Sequence, residues 1–346
     1  MCQLAAYVGD RPIAPLLLRA IENQEPLLGA HASGMGVVDG ETLRIEKDFG
    51  HVRRVRSTTA ISTLEGSAGI AHTRYSSNAR DDPRYNKREN AHPFVDDTGK
   101  LALMHNGVLF NYREHWEKLR GDHVFRSHSA EVDDITDSEV AIHLLSDALA
   151  RGASMEEGLR SIVPQFTGFF LFGVIHAEHP EEVWIANWHQ PCLVALGEGE
   201  AMFCSSRIGF HDVRDEFDRV FVPPKNSIIK LSKRGVEISP LDRCRRVPPI
   251  SLNSRVLASS ILDILRKTPR IDVVKLLTAL TPEAFALAYG VSSERFKEFA
   301  KEGFRPINPY FGVLDMLVSD GVVVEQIDFR SEGGVPDTPR FTYSLA

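Results

Sequence analysis

The 346-residue sequence predicts an α+β fold with a second, smaller part at its carboxyl end. Strand patterns come first, helical patterns follow, and short strands separated by turns return from residue 168, which is typical of antiparallel sheets covered by helices. Charged residues and two prolines interrupt this order at residues 243–249, and mostly helical periodicity follows. We therefore predict domains at residues 1–246 and 250–346.

The composition is that of an ordinary folded protein, with 43% hydrophobic and 25% charged residues. The longest apolar runs, such as residues 169–175, are too short to span a bilayer, so no membrane partner is predicted. The start lacks a basic stretch followed by a long apolar one, which predicts a cytoplasmic protein without a secretory signal. The net charge of −7 argues against nucleic acid as the main partner.

The four cysteines form no CxxC pair and are too few for a disulfide framework in a chain of this length. They therefore suit a reducing compartment and predict no zinc site. We predict no metal and no cofactor.

The first elements alternate between strand and helix patterns. Residues 2–8 read as a strand, Pro12 suits the first turn of a helix that includes residues 16–21, and residues 43–47 and 68–72 predict two more strands. The strand predicted at residues 68–72 is followed directly by polar residues 73–77. Polar residues at the end of a strand are typical of functional sites. A charged, irregular stretch then predicts an exposed loop.

The middle of the sequence predicts one more strand and two helices. Residues 101–105 form a strand pattern that stops at Asn106 and Gly107, where glycine permits a sharp turn. Asn111 with Glu114, and Thr136 with Glu139, have the spacing of capping boxes for the two helices. The second box places Asp137 at a helix start.

The carboxyl-terminal part is predicted to be mainly helical and to end in a hairpin. Five helical patterns precede two strand patterns that flank a loop rich in glycine and proline. These patterns lie at residues 255–266, 273–280, 282–289, 294–300, 311–318, 322–328 and 340–345. The order suggests a winged-helix unit.

Cys2 is the first candidate for chemistry. If Met1 is removed, which the small side chain of Cys2 permits, residue 2 carries both a thiol and a free α-amine. Their unperturbed pKa values, roughly 8.5 and roughly 7.7 to 8.0, let the amine take a proton near neutral pH while sulfur attacks a carbonyl. The alternative is a small apolar residue in a first strand.

An ordered set of motifs resembles the class II glutamine amidotransferases, most closely those of the glucosamine-phosphate synthase and amidophosphoribosyltransferase type. The motifs are Cys2, Gly29, Gly34, residues 69–74 (GIAHTR), 90–93 (NAHP), 105–107 (HNG), 136–139 (TDSE), and the strands around 191–196 and 201–205. The resemblance implies a four-layer αββα fold of the N-terminal nucleophile hydrolase type. It also implies hydrolysis of L-glutamine through a γ-glutamyl thioester on Cys2.

The resemblance also implies roles for the other site residues. The Asn106 side-chain amide and the Gly107 backbone N–H are expected to form the oxyanion hole. Arg74 is expected to bind the α-carboxylate of glutamine, and Asp137 its α-ammonium. Without the resemblance, an Asn-Gly hairpin turn, a surface arginine and a helix-capping acid are the ordinary alternatives.

Some positions depart from the family pattern. Tyr75 and Ser77, predicted to contact substrate, stand where the family often has tryptophan and threonine, so the loop that closes over glutamine is altered. His72, His92 and His105 are interpreted as positioning or packing residues, because the family uses the α-amine as its base. About seven extra, acid-rich residues lie between Ser127 and Thr136, and the sequence assigns them no role.

Two classes of function remain open from the sequence. In the first, the protein is a glutaminase subunit whose ammonia goes to an unidentified acceptor or a separate synthase, because about 97 residues after the glutaminase carry no phosphate-binding loop. In the second, it is a glutamine-sensing regulator with a DNA- or protein-binding tail. A chain shortened to end near Arg246 is expected to keep glutaminase activity.

The tail is expected to bind a synthase partner or its own copy rather than DNA. Residues 251–346 hold eleven lysines and arginines against twelve acids, a net charge of −1, whereas DNA readers show a basic face. The apolar spacing in its helices suits packing against another helix, with an internal core as the alternative. The residues in question are Phe296, Phe299, Tyr310, Phe311, Leu314 and Leu317.

Overall fold

The computed structural model describes residues 2–304 and 307–346, and Met1, whose removal the sequence predicts, lies outside them. Within these residues the helices are α1 Ile13–Leu28, α2 Val52–Thr58, α3 Ser77–Asp81, α4 Tyr112–Leu119, α5 Asp137–Ala150, α6 Met155–Ile162, α7 Ser254–Lys267, α8 Val273–Ala279, α9 Pro282–Ala288, α10 Ser293–Lys301 and α11 Ile307–Ser319. The strands are β1 Gln3–Val8, β2 Ala32–Asp39, β3 Thr42–Phe49, β4 Ala68–Arg74, β5 Phe94–Val95, β6 Leu101–Leu109, β7 Gly168–His176, β8 Glu182–Trp188, β9 Leu193–Gly197, β10 Glu200–Cys204, β11 Arg219–Phe221, β12 Asn226–Ser232, β13 Gly235–Pro240, β14 Ile271–Asp272, β15 Val323–Glu332 and β16 Val335–Leu345.

The first sheet places the amino-terminal strand at its centre. Its strand order is β11-β9-β10-β1-β4-β2-β3, and β1 pairs antiparallel with β4 on one side and β10 on the other. Gln3 lies opposite Thr73 in this ladder, so the start of β1 and the end of β4 lie side by side. Cys2 and Arg74, which flank this pair, are therefore brought together.

The second sheet faces the first, and helices cover both outer surfaces. Its order is β13-β12-β8-β7-β6-β5. Apolar residues such as Leu4 and Ile70 of the first sheet meet Met104 and Leu171 of the second in a dry layer between them. Helices α1 and α2 pack on the outside of the first sheet, and α4, α5 and α6 on the outside of the second. The predicted α+β class is confirmed, and the layers run helix, sheet, sheet, helix.

Several local predictions were wrong. Asn111 caps no backbone N–H of α4, because its side chain instead binds Gln165 and Thr167 in the neighbouring turn. Thr136 likewise makes no side-chain cap on α5, because Glu139 turns toward residues 126 and 127. The stretch predicted to be an irregular loop contains α3 and two 3₁₀ turns, and helices α2 and α6 were missed.

The carboxyl-terminal part combines helices α7 to α11 with a small sheet of order β14-β16-β15. The final hairpin is longer than predicted, with its turn at Gly333 and Gly334. The aromatic and leucine residues whose spacing suggested a docking face are buried in one core, so the alternative interpretation of core packing is correct. That core also includes Leu27, Leu28 and Tyr75 of the amino-terminal part. Among the described residues, no helix has the length and apolar character needed to cross a membrane.

Candidate active site

Cys2 lies just before the central strand β1, at the edge of the layer between the two sheets. Its backbone N donates to Asn106 Oδ1 over 3.0 Å, and its Sγ lies 3.5 Å from the carbonyl oxygen of Tyr75. The residue is 8% exposed, and that exposed fraction faces a cavity of about 260 Å³. Cys2 is therefore both anchored and accessible to a small molecule.

Asn106 and Gly107 come from the facing sheet. The sequence predicted a turn here, but β6 continues through both residues to Leu109. Gly107 has a φ of +143°, and a Cβ at this position would lie only 2.0 Å from the carbonyl oxygen of Phe169. Glycine is thus required by backbone conformation and by close strand contact, rather than by a turn. Because Asn106 Oδ1 is occupied by Cys2, its Nδ2 is the end that can donate to a ligand.

Arg74 and Asp137 line the same cavity. Arg74 ends β4, is buried, and donates from Nη1 to the carbonyl oxygen of Tyr85 over 3.3 Å. Burial lowers the pKa of Arg74, an effect that nearby Cys2 and Asp137 oppose. Asp137 is the first residue of α5, as predicted, and its Oδ2 accepts from the backbone N of Leu109 over 2.8 Å.

The charge of Asp137 is held by its surroundings. Burial opposes ionisation of the carboxyl group, but electrostatic attraction to the neighbouring His105 and hydrogen bonds from His105, Leu109 and Ser138 hold the pKa of Asp137 below its usual value. A carboxylate facing a guanidinium across a small cavity suits a zwitterionic ligand.

Tyr75 and Ser77 also line the cavity but differ in exposure. Tyr75 is buried, and its ring stacks on His31 with centroids 5.0 Å apart. Ser77 is exposed at the start of α3, and Ser76 rather than Ser77 provides the cap, accepting from Ala79 N over 3.3 Å. The ring of Tyr75 is thus held by its contact with His31, whereas the exposed Ser77 lies at the mouth of the cavity.

Three histidines form a buried, hydrogen-bonded cluster beside the site. His72 Nε2 donates to the carbonyl oxygen of His105 over 3.0 Å, and both His92 and His105 contact Ser138 Oγ, at 2.8 and 3.0 Å. Burial lowers the pKa of His72 to about 3 and holds the pKa of His92 well below its usual value, so both rings are neutral at physiological pH. Their contacts are those of positioning residues.

The acid-rich stretch before Thr136, to which the sequence assigned no role, forms one wall of the cavity. Ser127, Ser129, Val132 and Asp134 all line it. The carboxylate of Glu139 fixes the start of this wall by accepting from the backbone N of Arg126 and of Ser127, at 2.7 and 2.9 Å. Glu139 was the one sequence feature that could have revealed this wall. It was interpreted as part of a capping box, but its hydrogen-bond partners lie outside its own helix.

Among the described residues, one group has the composition of a metal-ligand set. Asp97, His123 and His143 place ligand atoms within 4.8 Å of one another, and His123 Nδ1 lies 2.9 Å from Asp97 Oδ2. None of the three lines the cavity around Cys2. The set is therefore separate from any chemistry at the Cys2 thiol.

Parts of this chain are similar to known proteins. Residues 80–209 match a family model described as a glutamine amidotransferase domain. The isomerizing glutamine–fructose-6-phosphate aminotransferase of Thermococcus kodakarensis is 32% identical over 209 residues, covering 60% of this chain and 32% of that protein. The enzyme of the same name from Acinetobacter baylyi is 29% identical over 239 residues, covering 69% and 36%. The chain thus spans about a third of the length of these curated relatives.

Solved structures show a related fold. The glutamine phosphoribosylpyrophosphate amidotransferase of B. subtilis, solved with ADP and GMP, superposes with a TM-score of 0.58 at 17% identity. The match covers 84% of this chain and 64% of that one. At this identity the similarity concerns the fold alone.

Proposed function

Because the chain contains a class II glutamine amidotransferase domain, we propose that it hydrolyses L-glutamine to glutamate and ammonia through a thioester on Cys2. One observation carries the proposal. Four residues expected from the family motifs, which come from the start of β1 and from β4, β6 and α5, line a single small cavity, and a fifth, Asn106, accepts a hydrogen bond from the backbone N of Cys2. The four lining residues are Cys2, Arg74, Gly107 and Asp137.

In the first step Cys2 acts as nucleophile and base. With Met1 removed, the α-amine accepts the thiol proton, directly or through water, while Sγ forms a bond to the side-chain amide carbon of glutamine. Asn106 Oδ1 already holds this nitrogen at 3.0 Å, which fixes its position relative to sulfur. The oxyanion that develops would accept from Asn106 Nδ2 and Gly107 N–H.

In the second step the tetrahedral intermediate collapses. The carbon–nitrogen bond breaks, the α-ammonium returns its proton to the leaving nitrogen, and ammonia departs. Water then attacks the thioester, the amine again takes a proton, and glutamate leaves as Sγ is restored. No atom changes its oxidation state in these steps, so the reaction needs no redox partner.

Recognition of glutamine would rest on Arg74 and Asp137. A guanidinium binds a carboxylate through two parallel hydrogen bonds, and a carboxylate accepts from an ammonium. Tyr75 and Ser77 would complete the substrate contacts at the inner wall and at the mouth.

The carboxyl-terminal part would connect this reaction to a partner. Its five helices, with a sheet of order β14-β16-β15 whose last two strands form the terminal hairpin, support a winged-helix-like arrangement. Basic residues of α10 alternate with acids, and Arg295 is paired with Glu298 at 2.6 Å, which suits a protein partner better than DNA. We expect the partner to be an ammonia-using synthase or a second copy. A cytoplasmic location is part of the proposal, since all four cysteines are free thiols.

A glutamine sensor is the second candidate, because the carboxyl-terminal part packs directly against Tyr75 in the cavity wall. Two measurements on the natively expressed protein separate the candidates. Intact-mass analysis should show a chain beginning at Cys2, and incubation with glutamine should release glutamate. Tight glutamine binding without glutamate release would support the sensor, and retained Met1 in an active protein would remove the proposed base.

A further inference from the structure

The turn of the final hairpin lies against the segment that covers the cavity. We call residues 76–90 the cover segment, since Ser76, Ser77, Asn78, Tyr85 and Asn90 all line the cavity. The carbonyl oxygen of Gly333 accepts from Asn86 Nδ2 over 2.9 Å. A Cβ at Gly333 would lie 2.5 Å from the carbonyl oxygen of Ala79, and its φ is +61°. Only glycine permits this close approach.

Behind the turn, a buried ionic network joins the hairpin to the cover segment. Glu332 Oε1 accepts from Arg340 Nη2 over 2.7 Å and from His31 Nε2 over 2.9 Å, while Arg330 Nε donates to Oε2 over 2.9 Å. Burial lowers the pKa of His31, so the ring is neutral. Since its Nδ1 accepts from the backbone N of Ser76 over 3.2 Å, Nε2 carries the proton. His31 thus connects Glu332 to the first residue of the cover segment.

Tyr75 is enclosed by the same network. Its ring lies between His31, stacked at 5.0 Å, and the Arg340 guanidinium, 5.4 Å from the ring centroid. Arg340 is fully buried and also donates to the carbonyl oxygen of Gly29 over 2.9 Å. The backbone carbonyl of Tyr75 faces Cys2 Sγ. The hairpin therefore contacts, through one layer of side chains, the residue that touches the nucleophile.

We propose that Glu332 and Arg340 are positioning residues of the glutamine site, and that the carboxyl-terminal hairpin completes that site from behind. The inference rests on the proposed function and extends it. Removing one member of a buried charge network leaves the other uncompensated, so the local structure rearranges. The cover segment and Tyr75 are the parts free to move, because β1 and β4 are held in their ladder.

This inference revises one expectation from the sequence. A chain shortened near Arg246 was expected to keep glutaminase activity. Such a chain would lack Glu332, Arg340 and Gly333 and would expose Tyr75, so we now expect it to lose glutamine affinity. The hairpin also offers a route by which a partner bound to the carboxyl-terminal part changes hydrolysis.

The test compares Arg340→Met with the matched control Arg270→Met in the full chain. Arg270 also pairs with a hairpin acid, Asp328, but is half-exposed and lies away from the turn. We expect Arg340→Met to raise KM for glutamine about tenfold with a smaller change in kcat, and Arg270→Met to change neither. Glu332→Gln should act in the same direction, and the milder Asn86→Ala serves if the buried variants fail to fold.

A second readout separates positioning from general loss of structure. Labelling of Cys2 by a diazoketone analogue of glutamine should slow in the variants, whereas alkylation by iodoacetamide, which needs no glutamine recognition, should not. Unchanged KM and analogue labelling in folded variants of an active wild type would overturn the inference. A wild type that neither releases glutamate nor reacts with the analogue would instead overturn the proposed function.

Discussion

The two halves of the candidate site are held by different kinds of structure. Cys2, Asn106 and Gly107 lie just before or within strands of the two facing sheets, so backbone ladders fix them. The cover segment consists of one short helix and two 3₁₀ turns, and side chains from distant parts of the chain hold it. Ladder positions depend on many bonds, whereas the cover segment depends on a few replaceable contacts.

This difference predicts a division of labour. Groups fixed by the sheets would determine the rate of bond breaking, because preorganised donors act on charge that develops in the transition state. Arg74, Asp137 and groups on the cover segment would determine how tightly glutamine is held. Substitutions of these two kinds of group should therefore change different kinetic constants.

The largest effect is expected for Cys2→Ala. Loss of the nucleophile should lower glutamine hydrolysis by roughly 10⁴-fold or more, as for other covalent hydrolases. Glutamine binding, followed by calorimetry, should persist because Arg74 and Asp137 remain. Cys244→Ala, at the exposed cysteine, is the matched control and should leave the rate unchanged. Residual turnover near the wild-type rate would exclude Cys2 as nucleophile.

Asn106→Ala should lower kcat by about 100- to 1,000-fold with little change in KM, since an oxyanion donor is removed. Asn106→Asp sharpens the comparison. It keeps an oxygen that can accept from the Cys2 nitrogen but has no Nδ2 donor, so it should be nearly as slow. If the aspartate variant recovered most of the rate in steady-state assays, holding the amine would be the main role of Asn106.

Arg74→Ala and Asp137→Asn should raise KM by roughly 10- to 100-fold, the range for losing a hydrogen bond to a charged group. Asparagine is preferred at position 137, because alanine would also leave the backbone N of Leu109 without its acceptor. Steady-state kinetics over a wide glutamine range provides the measurement. A fall in kcat at unchanged KM would mean that these residues act in the transition state, as Asn106 does, rather than in holding glutamine.

The sequence predicted the sheet-borne half well and the cover segment poorly. Alternating and apolar runs predicted most strands, and the sequence motifs predicted residues that line the cavity. Both signals are local in sequence. The wall at residues 127–134 and the contact between Glu332 and His31 join positions far apart, which periodicity cannot detect. Asn111 and Glu139 matched capping spacings but found better partners across the fold, so tertiary contacts overrode the local rule.

The smallest effect concerns Lys47 of strand β3, which holds the chain just beyond the cover segment. Its Nζ donates to the carbonyl oxygens of Ala91 and Pro93, at 2.6 and 3.0 Å, and lies 4.7 Å from the Phe94 ring centroid. Burial lowers the pKa of Lys47 to about 8. The unfolded chain, with a lysine pKa of about 10.4, therefore binds more protons between these values, and stability from this group rises with pH over that window.

Lys47→Met removes this titration. The free energy of unfolding of the wild type minus that of the variant should therefore increase between about pH 7.5 and about pH 9.5. Urea unfolding at the two pH values measures the difference. Lys118→Met, at an exposed lysine of α4, controls for loss of a positive charge. KM for glutamine should rise only slightly in Lys47→Met, because the hairpin still holds the cover segment itself. A constant or shrinking stability difference would mean that the Lys47 ammonium is as well solvated in the folded chain as in the unfolded one.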